Sequence, residues 1–280
     1  MRGFAVSARP RTSHDMMKIE TLIVTIDQPD HALVEKMNVQ TDALVGNQCG
    51  RNVTESFLWR EQHITYLNTS ERGVGKNRNL LLENTTADIC VLADDDMVFV
   101  DGYPQIAEKA FSECPHADIL VFNLIEKHPR RFVNKRIRRI GFHNYGRYGA
   151  ARLAFRREAL LASGIRFHLL FGGGAAYGAG EDTIFLHDCL KQGLRIYAVP
   201  YALAEIDQEA PSTWFTGYHA QFFHDKGALY ACLYPRTWPL CVLRHLLRHR
   251  KKCLQSLSFP QALHHMLAGG KNYLKEHNDT

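Results

Sequence analysis

The sequence lacks the patterns that mark several classes of protein. Its seven cysteines are scattered singly without a CxxC pair, which argues against a disulfide framework and against a zinc cluster. No apolar run approaches the roughly 20 residues that a membrane-spanning helix requires. We find no internal repeat, no low-complexity segment and no nucleic-acid-binding motif, and the net charge of +5 is modest. These absences predict a globular protein without a nucleic-acid partner.

The start of the chain has no apolar h-region ahead of its first strand, so it does not resemble a secretory signal. We therefore expect a cytoplasmic protein, with contact at the inner face of the cell membrane as the alternative. Residues 1–16 are polar and irregular, and we expect a disordered arm or an over-long translation start. With 45% hydrophobic residues, the rest of the chain can bury a substantial core.

Strand and helix patterns alternate along the chain. Short apolar, β-branched runs at 21–26, 63–68 and 88–93, together with DALVGN, are separated by segments of helical spacing, the first being PDHALVEKMNVQ. Two further strands are expected at 118–125 and 194–200. This succession predicts an α/β fold with a mainly parallel sheet flanked by helices. Ligands of such folds bind beyond the carboxyl ends of the strands.

Three adjacent carboxylates, Asp94, Asp95 and Asp96, follow the strand at 88–93. Side by side they repel one another, and any that is partly buried needs a cation, a donor or a proton. An acidic turn that closes a strand is the simpler interpretation of such a run taken alone. Upstream, RGVGKNRN (72–79) pairs turn glycines with basic residues at a helix start, where free amides suit phosphate. An ordinary helix N-terminus with an exposed arginine is the alternative there.

Two segments resemble family 2 glycosyltransferases. ERGVGKNRNLLLENTTADICVLADDDMVFVDGY is similar to the family's glycine turn, Arg-Asn helix start and Asp-x-Asp strand end, and GAGEDTIFLHDCLKQGLRIYAVP to its later Glu-Asp motif. STWFTGYHAQFFHDKGALY further resembles a bacterial capsule and exopolysaccharide branch. The resemblance covers roughly residues 17–227 and implies a GT-A catalytic domain at 17–230. Its nucleotide-binding half would be 17–103 and its acceptor half 104–230, followed by a helical, basic amphipathic tail at 231–280.

The resemblance implies transfer of a sugar from a nucleotide-diphosphate donor to an acceptor hydroxyl, with Mn²⁺ or Mg²⁺ as cofactor. Hard cations prefer carboxylate oxygens and neutralise the departing diphosphate. Asp94 would face the ribose or the metal, and Asp96 would ligate the metal. Asp95, turned the other way by strand alternation, either contacts the nucleotide sugar or holds a nearby backbone group or cation. His219 or His224 is a candidate third ligand, although a satisfied or exposed histidine is the simpler interpretation.

The same resemblance places the remaining donor contacts at the carboxyl ends of the first strands and in the glycine turn. These residues are Thr25, Asp27, Asn47, Gln48, Lys76, Arg78 and Asn79, with Arg78 the foremost. The chain departs from the family in two places. Many relatives carry Asn-Glu after strand one and an acidic residue after strand two, where this chain has Asp27-Gln28 and GNQCGRN, so the nucleotide base stays open.

Catalysis is assigned to GAGEDT. Inverting transfer needs a carboxylate that takes the proton of the acceptor hydroxyl, and Asp182 matches the second acid of the family motif. Glu181 would orient the acceptor or raise the pKa of Asp182. Capping of the following helix is a compatible alternative. We expect the backbone at Gly173 and Gly174 to approach the acceptor sugar closely, and the rings of Trp214 and Tyr218 to stack on it. Packing of a lid onto the core is an equally good interpretation of these aromatic residues.

The tail mixes apolar residues with the basic residues Arg244, Arg248, Arg250, Lys251 and Lys252. Such a pattern suits an interfacial helix on an anionic membrane, and the alternative is a helix packed on the catalytic domain with a solvated basic face. An enzyme that extends a glycan or lipid-linked glycan acceptor would gain from the membrane position.

The sequence thus predicts a metal-dependent inverting glycosyltransferase of bacterial capsule, exopolysaccharide or lipopolysaccharide synthesis. A sugar nucleotidyltransferase is one alternative, but TIDQPDHALVEK lacks the glycine-rich basic signature that those enzymes carry after strand one. The other is a non-catalytic glycan-binding subunit, against which the intact Asp94, Asp96 and Asp182 argue. The oligomeric state is not predicted.

Overall fold

The computed structural model describes residues 17–128, 131–206, 217–253 and 256–277. The predicted arm at 1–16 and the predicted acceptor residue Trp214 lie outside the described residues. The described strands are β1 Ile19–Ile26, β2 Asp42–Gln48, β3 Val53–Trp59, β4 Gln62–Thr69, β5 Ile89–Asp94, β6 Met97–Phe99, β7 Ile119–Ile125, β8 Arg138–Arg139, β9 Leu153–Arg156 and β10 Ile196–Ile206. The α-helices are α1 Leu33–Lys36, α2 Val74–Asn84, α3 Tyr103–Glu113, α4 Arg157–Ser163, α5 Glu181–Lys191, α6 Ala220–Leu233, α7 Trp238–Cys253 and α8 Phe259–His277.

The strands form one sheet in the order β3-β4-β2-β1-β5-β9-β7-β10-β6, and β8 pairs with β10. Its centre, β4-β2-β1-β5, is parallel throughout, and β7 and β10 are also parallel to each other. The predicted sheet flanked by helices is confirmed there. Antiparallel strands surround it, since β9 runs antiparallel to β5 and β7, and β3 and β6 are antiparallel edges.

The register of the parallel strands places the predicted site residues at one edge. Val24 of β1 pairs with Asp94 of β5, and Thr25 pairs with Asn47 of β2. Because parallel strands end on the same side of a sheet, three polar residues separated widely in sequence converge where this fold class binds ligands.

Two elements differ from the sequence-based prediction. The expected helix in PDHALVEKMNVQ is a single turn, α1, because Asn38 has a φ of 53° and Val39 N–H bonds back to the carbonyl of Val34. Strand β3 was missed. It forms a hairpin with β4 through Arg60 and Glu61, whose φ angles are 47° and 73°, and its largely exposed edge position requires no apolar run.

The sheet is covered on both faces by separate hydrophobic clusters. Neighbouring residues of β1 belong to different clusters, Ile23 to one and Leu22 to the other, as strand alternation requires. Both side chains are fully buried. Continuous apolar runs such as 89–93 are therefore explained by burial from two sides.

A third cluster joins the last three helices to the loop and helix that contain Phe171, Tyr177 and Ile184. Helices α6 and α8 touch through their backbones, since a Cβ on Gly227 would lie 1.8 Å from the carbonyl oxygen of Met266 and one on Gly269 would lie 1.9 Å from that of His224. The helical layer therefore begins with α6 at Ala220, and the predicted boundary at 230/231 falls inside this helix.

Helix α7 has two different faces. Val242 and Leu246 are fully buried in the third cluster, whereas Leu240, Leu243 and Leu247 are 68%, 42% and 58% exposed. The predicted packing of the tail on the catalytic domain and an exposed apolar, basic face therefore coexist in one helix. No helix within the described ranges is both long and apolar enough to cross a membrane.

Candidate active site

The site is organised around the buried guanidinium of Arg78. From helix α2 its Nη2 donates to Asp94 Oδ1 and its Nη1 to Glu181 Oε1, both at 2.9 Å, and the side chain is only 5% exposed. Its plane also lies over the ring of Phe167, 5.2 Å from the centroid. Arg78 thus ties the carboxyl end of β5 to the N-terminus of α5. It is hydrogen-bonded to both acidic motifs and lines the cavity between them, and its predicted contact with the donor stays a prediction.

The three adjacent aspartates have three different environments. Asp94 accepts from Arg78, while Asp95 Oδ2 accepts from the hydroxyl of Thr25 at 2.5 Å. Asp96 Oδ1 is buried and has no hydrogen-bond partner among the described residues. Burial, together with the charges of Asp94 and Asp95, raises the pKa of Asp96 to about 6. Asp95 and Asp96 lie in the turn between β5 and β6, so this turn, and not the expected alternation along an extended chain, separates Asp95 from its neighbours.

Asp182 lies in the first turn of helix α5, directly after Glu181. Its Oδ1 accepts from the backbone N–H of Thr183 at 2.6 Å and from the Thr183 hydroxyl at 3.2 Å, within the first turn, whereas the N-cap position itself is Gly180. Its Oδ2 faces Gly149, where an added Cβ would be 3.3 Å away. Burial, with the charge of Glu181 adding to it, raises the pKa of Asp182 to about 6. A carboxyl with this pKa is ionised at neutral pH and is a better base than an ordinary aspartate.

A cavity of about 250 Å³ brings the two acidic motifs together. Six charged side chains line it: Arg78, Asp94, Arg131, Arg152, Glu181 and Asp182. A second cavity of about 440 Å³ adjoins it, since Gly173, Gly178 and Asp182 line both. Carboxylate and guanidinium groups therefore line the same small cavity, which adjoins the larger one.

The glycine loop before α5 packs directly on the start of α2. Gly172 has a φ of 101°, and a Cβ there would lie 2.6 Å from Val74 Cγ1 and 2.8 Å from Glu181 Cδ. Val74 N–H donates to the carbonyl of Gly173 at 2.9 Å. Of the predicted acceptor glycines, Gly173 lines both cavities and Gly174 lines the larger one.

The residues predicted at the ends of β1 and β2 form a connected polar network. Asn47 exchanges hydrogen bonds with the backbone of Gln28, and Gln28 Nε2 donates to Thr25. Gln48 Oε1 accepts from the N–H of Gly73 at 2.6 Å and so holds the glycine turn. Asp27 pairs with Arg72 at 2.8 Å. These contacts rigidify the edge of the sheet at which the site lies.

Two predicted donor contacts have other partners. The amide of Asn79 donates to the carbonyl of Phe167 and accepts from its N–H, so both of its polar atoms are used structurally. Lys76 pairs with Glu71 at 3.6 Å on the surface. Neither residue lines the described cavities around Asp94, and their binding roles stay predictions without geometric support.

A separate cavity of about 300 Å³ opens at the ends of β1 and β2. Its lining includes Gln28, Pro29, His31, Asn47 and Tyr66. The His31 ring stacks on Phe57 at 4.4 Å. The turn after the first strand thus borders a cavity with a polar and aromatic lining. Among these lining residues, only Asn47 was predicted from the sequence.

The histidines and the aromatic residue predicted downstream lie around helix α6. His219 caps α6 by accepting from Phe222 N–H and lines the larger cavity. His224 contacts Asn272 and Asp225. Tyr218 packs edge-on against Phe222 at 5.1 Å. None of these three lines the cavity that holds Asp94, and the third metal ligand stays a prediction.

The carboxylates of Asp94 and Asp96 could together hold a divalent cation whose coordination is completed by a bound ligand. Among the described residues no three His, Cys, Asp or Glu side chains form a metal-binding group. Asp96 nevertheless has a buried carboxylate oxygen without a hydrogen-bond partner among the described residues, two positions from Asp94. A hard cation would supply the partner that this oxygen lacks.

Sequence reasoning missed Arg131 and Arg152. Both line the cavity with the acidic motifs. Arg131 belongs to the basic stretch EKHPRRFVNKRIRRI, which gave no single residue to choose. Arg152 carried a usable signal, because it is an isolated charge in the apolar run GAARLAF.

No family model matches the chain, and no curated protein matches it. Solved structures do. S. aureus TarS in complex with UDP-GlcNAc superposes with a TM-score of 0.58 at 14% identity, over 92% of this chain and 89% of that one. TarS 1–349 gives 0.56 at 14% identity, over 93% and 83%. The mannosyltransferase PcManGT from Pyrobaculum calidifontis, in complex with GDP-Man and Mn²⁺, gives 0.51 at 13% identity, over 94% and 89%. The chain has the GT-A fold. At these identities the likeness establishes the fold and leaves the activity to the site.

Proposed function

We propose that this chain is a metal-dependent, inverting glycosyltransferase that moves a sugar from a nucleotide-diphosphate sugar to an acceptor hydroxyl. The observation that carries the proposal is the meeting of Asp94 and Asp182 in one cavity, joined through Arg78 and Glu181. A carboxylate that could hold the metal and a carboxylate that could act as the base are the two groups that such a reaction needs, and burial raises the pKa of the second, Asp182, to about 6. The fold shared with structures that contain UDP-GlcNAc or GDP-Man supports a nucleotide-sugar donor.

Asp94 and Asp96 would hold Mn²⁺ or Mg²⁺, which supplies positive charge to the departing diphosphate. Asp182 would take the proton of the acceptor hydroxyl as that oxygen attacks the anomeric carbon and the bond to the diphosphate breaks. Arg78 and Glu181 position Asp94 and Asp182 relative to each other. The cavity of about 300 Å³ that Gln28 and Asn47 line would receive the nucleotide base, with Thr25 and Asp27 nearby.

The acceptor is proposed to be a glycan or lipid-linked glycan of bacterial surface polysaccharide synthesis. The exposed leucines of α7 lie among exposed Arg236, Arg244, Arg248 and Arg250. Cations attract anionic lipid while apolar side chains enter the headgroup boundary, so this face fits peripheral contact with the inner face of the membrane.

The test is a panel of UDP-, GDP-, TDP- and CMP-sugars incubated with the purified chain and Mn²⁺, with released nucleotide measured. We expect release from one donor class, lost in Asp94→Asn and retained in Asp101→Asn, an exposed aspartate seven residues along the same stretch. Formation of nucleoside triphosphate from added pyrophosphate would instead indicate a nucleotidyltransferase. Glycan binding without binding of any nucleotide sugar would indicate a non-catalytic subunit.

A further inference from the structure

Arg152 is a buried cation with no carboxylate hydrogen-bonded to it among the described residues, although the charge of Glu126, which pairs with Arg131, also acts on it. It is 3% exposed, and its hydrogen bonds go to neutral groups: Nε donates to the carbonyl of Phe122 at 2.7 Å and Nη2 to Asn123 Oδ1 at 3.1 Å. The guanidinium lies 5.1 Å from the ring centroid of Tyr148. Nη1 is buried and has no hydrogen-bond partner among the described residues. A buried charge in this state is unfavourable unless an anion joins it.

A second arginine lies at the same cavity. Arg131 is 46% exposed and pairs with Glu126, and it lines the cavity together with Arg152. Burial, with the charge of Arg131 adding to it, lowers the pKa of Arg152 to about 10. The segment 131–139 contains no acidic residue and continues along the surface with the exposed Lys135, Arg136 and Arg139. A positive surface therefore leads to Arg131 and ends at the buried Arg152, an arrangement that draws in anions.

The position of these arginines favours the acceptor side of the reaction. They belong to the segments 126–139 and 149–152, whereas the polar network of Thr25, Asn47 and Gln48 lies at the ends of β1 and β2. Gly149, three residues before Arg152, faces Asp182 Oδ2 at 3.3 Å from an added Cβ. Since Arg152 and Asp182 line the same cavity of about 250 Å³, an anion held at Arg152 would lie near the proposed base, where the acceptor hydroxyl must be.

We propose that Arg152 and Arg131 form an anion subsite that binds a phosphate or carboxylate group of the acceptor, so that the acceptor is an anionic glycan. The inference rests on the proposed function, since it assigns the acceptor of that reaction. Arginine suits the role because its planar donors match phosphate and carboxylate oxygens in pairs.

The experiment is ligand-observed NMR titration of the full chain with glycerol 3-phosphate and glucuronate, using glycerol and glucose as neutral counterparts. We expect the anions to bind and the neutral compounds not to. Arg152→Met and Arg131→Met should each weaken anion binding by about tenfold or more, the usual size of a charge-assisted hydrogen bond. Arg131→Met, at an exposed position, keeps the test decisive if Arg152→Met does not fold.

Arg156→Met is the matched control. Arg156 also donates to a backbone carbonyl, that of Ala117 at 3.0 Å, and also lies over a ring, 5.0 Å from the centroid of Phe111. It does not line the cavity. Anion binding should be unchanged in this variant. Equal weakening by Arg156→Met, unchanged binding in both test variants, or equal binding of glycerol and glycerol 3-phosphate would each overturn the subsite.

A second arm distinguishes the two sources of phosphate. The titration is repeated with Mn²⁺ and saturating UDP or GDP, and we expect the anions still to bind. Competition would show that Arg152 holds the diphosphate of the donor, which overturns the acceptor assignment. Anion binding that depends on Arg152 in a protein that binds no nucleotide sugar would refute the proposed function, and with it the acceptor assignment, while leaving the anion subsite itself in place.

Discussion

Arg78 donates to Asp94 and to Glu181 at the same distance of 2.9 Å, although Glu181 is 103 residues further along the chain. One buried guanidinium therefore fixes the spacing between the Asp-x-Asp strand end and the Glu-Asp helix start. Its charge is matched by two carboxylates that would otherwise repel each other across the cavity.

The first prediction concerns this bridge. Arg78→Met should lower the free energy of unfolding by about 3 kcal/mol or more, because it leaves two partly buried carboxylates without their cation. Urea unfolding measures the change. Arg166→Met is the control, since its pair with Glu83 at 3.6 Å lies on the surface and should contribute less than about 1 kcal/mol. Equal effects of the two substitutions would show that the bridge does not stabilise the fold.

The second prediction concerns metal binding. Asp96→Ala should abolish the stimulation of donor binding by Mn²⁺, because it removes one of two carboxylate ligands for a cation that bridges to the diphosphate. Calorimetry with and without Mn²⁺ measures this. Asp101→Ala, an exposed aspartate that accepts from Asn38, should leave the stimulation intact. Full stimulation in Asp96→Ala would move the metal away from this residue.

The third prediction concerns the base. Asp182→Asn should retain donor binding and slow transfer by roughly two to four orders of magnitude, the usual contribution of a positioned base. The amide keeps an oxygen for the N–H of Thr183, so this hydrogen bond in the first turn of α5 is retained. Asp188→Asn, on the same helix, should transfer at the normal rate. Near-normal transfer in Asp182→Asn would make Glu181 the next candidate, and loss of donor binding would mean that this loop mainly shapes the donor pocket.

The fourth prediction concerns pH. Because burial raises the pKa of Asp182 from 3.8 to about 6, the base is protonated below that value and transfer should fall about tenfold per unit of pH. The same shift implies a stability contribution that is present below pH 4 and lost as pH rises through 6. Asp182→Asn should therefore gain stability relative to the unsubstituted chain between pH 4 and pH 7. A flat rate profile from pH 5 to 7 would contradict the assignment.

The fifth prediction concerns helix α7. Replacing Leu240, Leu243 and Leu247 with serine should abolish co-sedimentation with anionic liposomes, and high salt should weaken binding of the unsubstituted chain. The control is Leu58→Ser, at a leucine of β3 that is 66% exposed. If the unsubstituted chain does not bind liposomes, or the triple variant binds as well, this face of α7 has no membrane role.

The sequence by itself determined the central sheet and both acidic motifs. Apolar runs such as that of β5 predict burial from two sides. Three adjacent carboxylates, Asp94 to Asp96, at the end of such a run lower the stability of the fold, so they indicate a functional site. The glycine turn before α2 and the Glu-Asp start of α5 are local sequence patterns, so they too could be predicted from the sequence. The hairpin strand β3 was not, because an exposed edge strand needs no apolar pattern.

Only the tertiary structure decided which side chains share the cavity. Arg78 was predicted to contact the donor, which stays a prediction, but its position between Asp94 and Glu181 was not predicted. Asn79 is used by the backbone of Phe167, and Arg152 comes to the cavity from a segment that no motif marked. Periodicity along a chain reports which residues are buried, since burial follows from local spacing. Pairing of charges across 16 and 103 residues depends on how helices pack on the sheet, and no local pattern encodes it.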